Sequence, residues 1–159
     1  MRNEPNEVKL GDERQGLRIL AAEDNAINQT VLRALLQPMG LEPTIVENGA
    51  RAVEAWQKQR FDIVLMDVQM PVLDGLEATR EIRRRELELG LAATPIIALT
   101  SNVLRHQVEA CFEAGMDGHL AKPIQIEKLF ATLQAAYELS AGQEPPAATV
   151  STNRGVARP

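Results

Sequence analysis

Four short apolar runs in this chain each stop at a polar residue. Ile19–Ala22 runs into Glu23 and Asp24, Ile63–Met66 into Asp67, Ile96–Leu99 into Thr100, and His119–Ala121 into Lys122. Runs this short and apolar, bounded by turn residues, predict strands of a parallel sheet covered on both faces. Between them the apolar period changes from two to about 3.6 residues, so strand and helix signals alternate five times.

The first run leads to a helix capped by Asn25, with Ile27, Val31, Leu32, Leu35 and Leu36 as its apolar face and Pro38 and Gly40 as its stop. Pro38 is expected to shorten or kink that helix. Thr44–Val46 is the second strand, and Asn48–Gly49 turns into a helix carrying Val53 and Trp56. Phe61–Met66 is the third strand, and the loop Gln69–Gly75, with Pro71, precedes a helix from about Leu76 to Leu87. The fourth strand precedes a helix with Val108, Cys111 and Phe112 at helical spacing. After the fifth, Ile126, Leu129, Phe130, Leu133 and Tyr137 mark a last amphipathic helix. Repeated βα units imply an α/β fold, a doubly wound parallel sheet with helices on both faces and right-handed crossovers.

In such a sheet the ligand crevice lies at the carboxyl ends of the strands. Glu23, Asp24, Asp67, Thr100 and Lys122 would then meet at one edge. Asp67 after a buried strand can ligate a metal, accept a phosphoryl group as an acyl phosphate, or simply cap a turn. Glu23 and Asp24 beside it would repel one another in a partly desolvated crevice. A hard divalent ion relieves that repulsion, and Mg²⁺ favours one or two carboxylates with waters and phosphate oxygens. Dipole stabilisation of the helix start, the bland account of the pair, contributes under ~1 kcal/mol. Lys122 at the end of a buried strand needs an anionic partner, which Asp67 or a phosphate upon it supplies. Pro123 after it pins the backbone and favours a cis bond.

Composition narrows the function classes. The 159 residues fit one domain, residues 17–139, between a polar arm or linker (1–16) and an Ala/Pro/Ser/Thr-rich tail (140–159) expected to be disordered. The net charge of −5 argues against nucleic acid as a partner. A single cysteine, Cys111, excludes an internal disulfide and a thiolate cluster; on the apolar face of its helix it reads as buried and inert. No signal peptide is visible and no apolar run nears the ~20 residues of a membrane span, so a cytoplasmic location without membrane contact is expected. The triplet Arg83–Arg85, flanked by Glu81, Glu86 and Glu88, reads as a solvated helix face. Trp56 is expected to pack the second helix, far from the strand ends.

With these residues in place, the chain resembles the receiver domain of two-component response regulators over about residues 17–139. The resemblance rests on Ile19-Leu-Ala-Ala-Glu-Asp-Asn25, Asp62-Ile-Val-Leu-Met-Asp-Val-Gln-Met-Pro71 with Asp74-Gly75, Ala98-Leu-Thr-Ser101, and Gly115-Met-Asp-Gly-His-Leu-Ala-Lys-Pro123. The segment Glu23–Asn28 and the ending Lys122-Pro-Ile124 are most similar to receivers of hybrid sensor histidine kinases. The resemblance implies a flavodoxin-like strand order 2-1-3-4-5. It also implies Asp67 as phosphoacceptor, Mg²⁺ held by Asp24, Glu23, Asp67 and the backbone carbonyl of Gln69, Lys122 as counter-charge, and Thr100 as switch hydroxyl. His119 stands where the family usually has a rotating Tyr or Phe, and switching and plain packing weigh equally for it. The donor would be a phosphohistidine on a histidine kinase or phosphotransfer domain, and the readout a shift of the fourth helix, fifth strand and last helix. On this reading the chain is a signalling phosphoacceptor rather than an enzyme. A Mg²⁺-dependent phosphohydrolase is disfavoured because Gln69, two residues after Asp67, cannot transfer protons. A flavin-binding protein is disfavoured by the few aromatics and the acids at the strand ends. A non-phosphorylated pseudo-receiver is disfavoured because every expected site residue is present.

Overall fold

The computed structural model describes residues 16–101 and 104–141. The polar arm up to residue 15 and the tail from 142 lie outside the described residues. Five strands, β1 (Ile19–Ala22), β2 (Thr44–Val46), β3 (Ile63–Asp67), β4 (Ile96–Thr100) and β5 (Gly118–Ala121), form one parallel sheet in the order β2-β1-β3-β4-β5. They alternate with α1 (Ala26–Leu36), α2 (Gly49–Lys58), α3 (Gly75–Leu89), α4 (Arg105–Ala114) and α5 (Ile126–Ala141). The expected strand order and doubly wound class are both met. The third strand starts two residues later than expected, at Ile63, and Phe61 is buried in the loop before it.

Side chains alternate across the sheet because successive strand residues point to opposite faces. Ile19, Ala21, Ile63, Leu65, Ile97 and Leu99 pack with Leu32 and Leu36 of α1 and Leu129 and Leu133 of α5. Leu20, Ala22, Val64, Met66, Ile96 and Ala98 pack on the other face with Val53 and Trp56 of α2, Ile82 of α3 and Cys111 of α4. Each central strand therefore has to be apolar at every position, which is why β1, β3 and β4 read as unbroken runs.

Local chemistry sets the helix ends. Asn25 Oδ1 accepts from the Asn28 amide at 3.0 Å, Asn48 Oδ1 from Arg51 at 2.8 Å, and Asp74 Oδ1 from Glu77 at 2.9 Å, capping α1, α2 and α3. Pro38 ends α1 as expected: the chain tightens into a 3₁₀ turn, Gln37–Met39, and leaves through Gly40 at φ 77°.

The face of α1 differs from the sequence expectation. Leu32 and Leu36 are buried, but Ile27 is 74% exposed and Val31 42%. Leu32 and Leu36 face the core with Asn28 half-buried on the same row, and Leu35 packs partly against the core, while Ile27 and Val31 turn outward. Polar bonds from Asn28 and Gln29 to Glu23 fix this rotation. On α4, Phe112 is likewise exposed at 48% while Cys111 is buried.

The Arg83–Arg85 triplet needs a second correction. Arg84 and Arg85 pair with Glu81, and Arg84 also with Glu88, on the surface of α3, as a solvated face should. Arg83 instead turns inward. Its Nε donates to the Gly115 carbonyl at 2.9 Å, Nη1 to Glu86 at 2.7 Å and Nη2 to Asp117 at 2.8 Å. Glu86 and Asp117 in turn accept from the backbone amides of Thr94 and Ile96. This network ties α3 to the loop before β4, to the first residue of β4 and to the loop between α4 and β5.

Candidate functional site

At the carboxyl edge of the sheet the ends of β1, β3, β4 and β5 bring Glu23, Asp67, Thr100 and Lys122 together, all but Lys122 buried. Asp24 stands beside them, exposed. One oxygen from each of Glu23, Asp24 and Asp67 lies within 4.8 Å of the others. Lys122 Nζ reaches between two of them, 3.0 Å from Glu23 Oε1 and 3.3 Å from Asp67 Oδ2.

The backbone fixes each group in turn. The Glu23 amide donates to the Val46 carbonyl at 2.9 Å, which extends the β1–β2 ladder one residue past the strand. Glu23 Oε2 accepts from the Asn25 amide and from Asn28 Nδ2, both at 3.2 Å, and Gln29 Nε2 donates to the Glu23 carbonyl at 2.6 Å. Beyond its ion pair with Lys122, Glu23 Oε1 is buried without a hydrogen bond among the described residues. Asn28 and Gln29 were not singled out from the sequence. Their signal was there: two amide side chains within the first turn of α1, five and six residues after Glu23.

Asp67 Oδ1 accepts from the Gln69 amide at 3.3 Å, so the peptide after β3 curls over the carboxylate. The Lys122 amide donates to the Thr100 carbonyl at 2.8 Å, which carries the β4–β5 ladder up to the lysine. Two glycines allow the loops to close. A Cβ on Gly75 would sit 2.2 Å from the Asp67 carbonyl oxygen, and one on Gly49 2.2 Å from that of Leu73. Between them Pro71-Val72-Leu73 makes a tight turn, with the Leu73 amide donating to Pro71 at 2.7 Å and Val72 held at φ 69°. The Lys122–Pro123 bond is cis, as the sequence suggested.

The electrostatics are unbalanced. Burial, then the neighbouring charge of Glu23, pushes the Asp67 carboxyl from 3.8 to about 6, against the opposing pull of Lys122 and the Gln69 amide. Burial opposes the charge of Lys122, but contacts with Glu23 and Asp67 outweigh it and hold its pKa above the ordinary lysine value. Three carboxyl groups thus share one ammonium. Hard oxygen donors with surplus negative charge suit Mg²⁺, and the residues fit that ion.

His119 lies on β5 in register with Ala98 and its side chain is exposed. It does not pack in the core, which removes one of its two expected roles. Trp56 lies at the far end of α2, where its Nε1 donates to Thr94 Oγ1 at 3.2 Å, away from the carboxylates as expected. Among the described residues no helix is long and apolar enough to cross a membrane.

The model of the response regulator receiver domain matches residues 19–134. The peroxide stress-activated histidine kinase mak1 of Schizosaccharomyces pombe is 40% identical over 119 residues, covering 73% of this chain and 7% of that protein. The sensor protein GacS of Pseudomonas syringae pv. syringae is 43% identical over 112 residues, 70% of this chain and 12% of GacS. The chain thus spans only a small part of these relatives. Among solved structures, the receiver domain of the sensor histidine kinase PA1611 from Pseudomonas aeruginosa, with a magnesium ion in its active-site cleft, is 46% identical with a TM-score of 0.70, covering 77% of this chain and 98% of that one. The receiver domain of Saccharomyces cerevisiae Ssk1, crystallised with the histidine phosphotransfer protein Ypd1, gives a TM-score of 0.75 at 29% identity, covering 79% and 91%.

Proposed function

The chain belongs to the response regulator receiver domain family, and from that premise we propose that Asp67 is its phosphoacceptor, loaded from a phosphohistidine in a Mg²⁺-dependent step. The observation that carries the reading is the cluster itself: Asp67 between Glu23, Asp24 and the Lys122 ammonium at the mouth of the sheet.

Glu23, Asp24, Asp67 and the Gln69 carbonyl would hold the metal. When bound, it offsets negative charge on the transferring phosphoryl oxygens. Asp67 is ionised at neutral pH, because even its raised pKa of about 6 lies below 7. One of its carboxylate oxygens attacks phosphorus in line, the P–N bond to the imidazole breaks, and the product is an acyl phosphate. Lys122 moves its ion pair from the carboxylate to the phosphoryl group. Thr100 donates its hydroxyl to a phosphoryl oxygen, drawing the end of β4 inward, and His119 rotates to follow. Phosphorylation then shifts a two-state equilibrium in the surface of α4, β5 and α5.

The partner on this reading is a histidine kinase or a histidine phosphotransfer domain, and the chain acts as the cytoplasmic receiver portion of a hybrid kinase rather than as an enzyme in its own right. The relatives mak1 and GacS and the Ssk1–Ypd1 complex support that assignment. Incubation with a phosphotransfer protein carrying ³²P on histidine tests it. Label should pass to the chain with Mg²⁺, be released by hydroxylamine, and be absent from Asp67→Asn. Label that persists in the Asn variant would overturn the assignment.

A further inference from the structure

Asn28 sits on the row of α1 that faces the core, in line with Leu32 and Leu36, and is itself half-buried. A polar side chain in such a place costs stability unless it finds a partner. Its partner is the carboxylate cluster. Asn28 Nδ2 donates to Glu23 Oε2 at 3.2 Å, and the Asn25 amide donates to the same oxygen at 3.2 Å. Glu23 is 1% exposed, and its main chain is held twice, its amide on the Val46 carbonyl and its carbonyl on Gln29 Nε2. What freedom remains to the carboxylate is to turn about its own axis, and the two donors on Oε2 oppose that turn. Oε1 is left buried without a hydrogen bond among the described residues, 3.0 Å from the Lys122 ammonium that also reaches Asp67.

We propose that Asn28 is a positioning residue that sets the cation selectivity of this site, an inference that rests on the Mg²⁺ reading above. With Oε2 occupied by two donors, Glu23 has one oxygen to offer, Oε1. Mg²⁺ demands a tight octahedron completed by waters, which a single carboxylate oxygen suits. Ca²⁺ is larger, takes more oxygens and gains from a carboxylate that gives both. Holding Oε2 withholds that gain from Ca²⁺. It also sets Oε1 in advance, so that Mg²⁺ does not have to order the carboxylate on binding. Asn28 touches no reacting atom and acts through Glu23 alone. An apolar residue in its place would suit the row of Leu32 and Leu36 and leave Oε2 with only the Asn25 amide.

The test follows the Gln69 amide of the ¹⁵N-labelled full chain, which donates to Asp67 Oδ1, through separate titrations with MgCl₂ and CaCl₂. In Asn28→Leu the Kd for Mg²⁺ should rise about tenfold and that for Ca²⁺ by less, so the preference for Mg²⁺ narrows. Asn28→Ala should narrow it in the same way and serves where leucine crowds the row. Thr30→Ala, which loses only a bond within α1 to the Ala26 carbonyl, should change neither constant. Equal weakening of both cations by the Asn28 variants overturns the proposal, because Asn28 then merely shapes α1. So does an unchanged Mg²⁺ Kd in both Asn28 variants, or the same narrowing in Thr30→Ala. A wild-type Gln69 signal that neither cation moves overturns the Mg²⁺ reading and this inference with it. A wild type that responds, matched by both Asn28 variants, overturns the inference alone.

Discussion

Asp67→Asn should stabilise the metal-free protein, although it removes the residue the site is built around. The Asp67 carboxyl is held at about 6 rather than 3.8, first by burial and then by Glu23. Two units correspond to about 3 kcal/mol of penalty on the charged form. The cleft opens to water beside Asp24, and that screening brings the expected value to ~1–2 kcal/mol. Its sign with pH follows from the proton balance. Below pH 4 both folded and unfolded chains hold the proton and the term vanishes. Between about pH 4 and 6 the folded chain alone keeps it, so wild-type stability falls as pH rises through that window. The Asn variant lacks this fall. Urea unfolding followed by Trp56 fluorescence reads the difference, since the indole is buried and far from the carboxylates. In EDTA at pH 7.5 the variant should be more stable by ~1–2 kcal/mol, with the gap closing toward pH 4. With Mg²⁺ at about 100 times its Kd, wild type should gain about 2.7 kcal/mol and overtake it. A variant no more stable than wild type in EDTA would refute the reasoning, because Lys122 would then balance the cluster and no cation would be called for.

Three further substitutions probe how the site and the packing around it are held. Gly75→Ala forces a Cβ against the Asp67 carbonyl, so it should cost ~2–3 kcal/mol in urea unfolding and slow phosphorylation. Gly90→Ala, at φ 68° with nothing near its Cβ, should cost only about 1 kcal/mol and leave phosphorylation unchanged. Arg83→Ala leaves Glu86 buried without its cation and should destabilise by about 3 kcal/mol, with phosphorylation of the folded fraction unaffected; a loss below 1 kcal/mol would show the network to be dispensable.

The strands were legible because burial on both faces leaves only one kind of sequence for β1, β3 and β4. The site was legible because its residues follow those strands directly, so finding the strands located Glu23, Asp67, Thr100 and Lys122. The face of α1 was not. Ile27 and Val31 are as apolar as Leu32 and Leu36, and the choice between them is made by the bonds of Asn28 and Gln29 to Glu23. Arg83 was hidden for a different reason: its partners Gly115 and Asp117 are 32 and 34 residues away, and nothing local separates it from Arg84 and Arg85. The closeness of Gly75 to the Asp67 carbonyl is likewise a property of the closed loop, absent from the residue pattern.

Intact mass after incubation with a small acyl phosphate tests the central assignment most directly. With Mg²⁺ the chain should gain one phosphoryl group, and neither the EDTA sample nor Asp67→Asn should gain any. An adduct that forms without metal, or that persists in the Asn variant, would contradict a metal-dependent phosphoacceptor at Asp67.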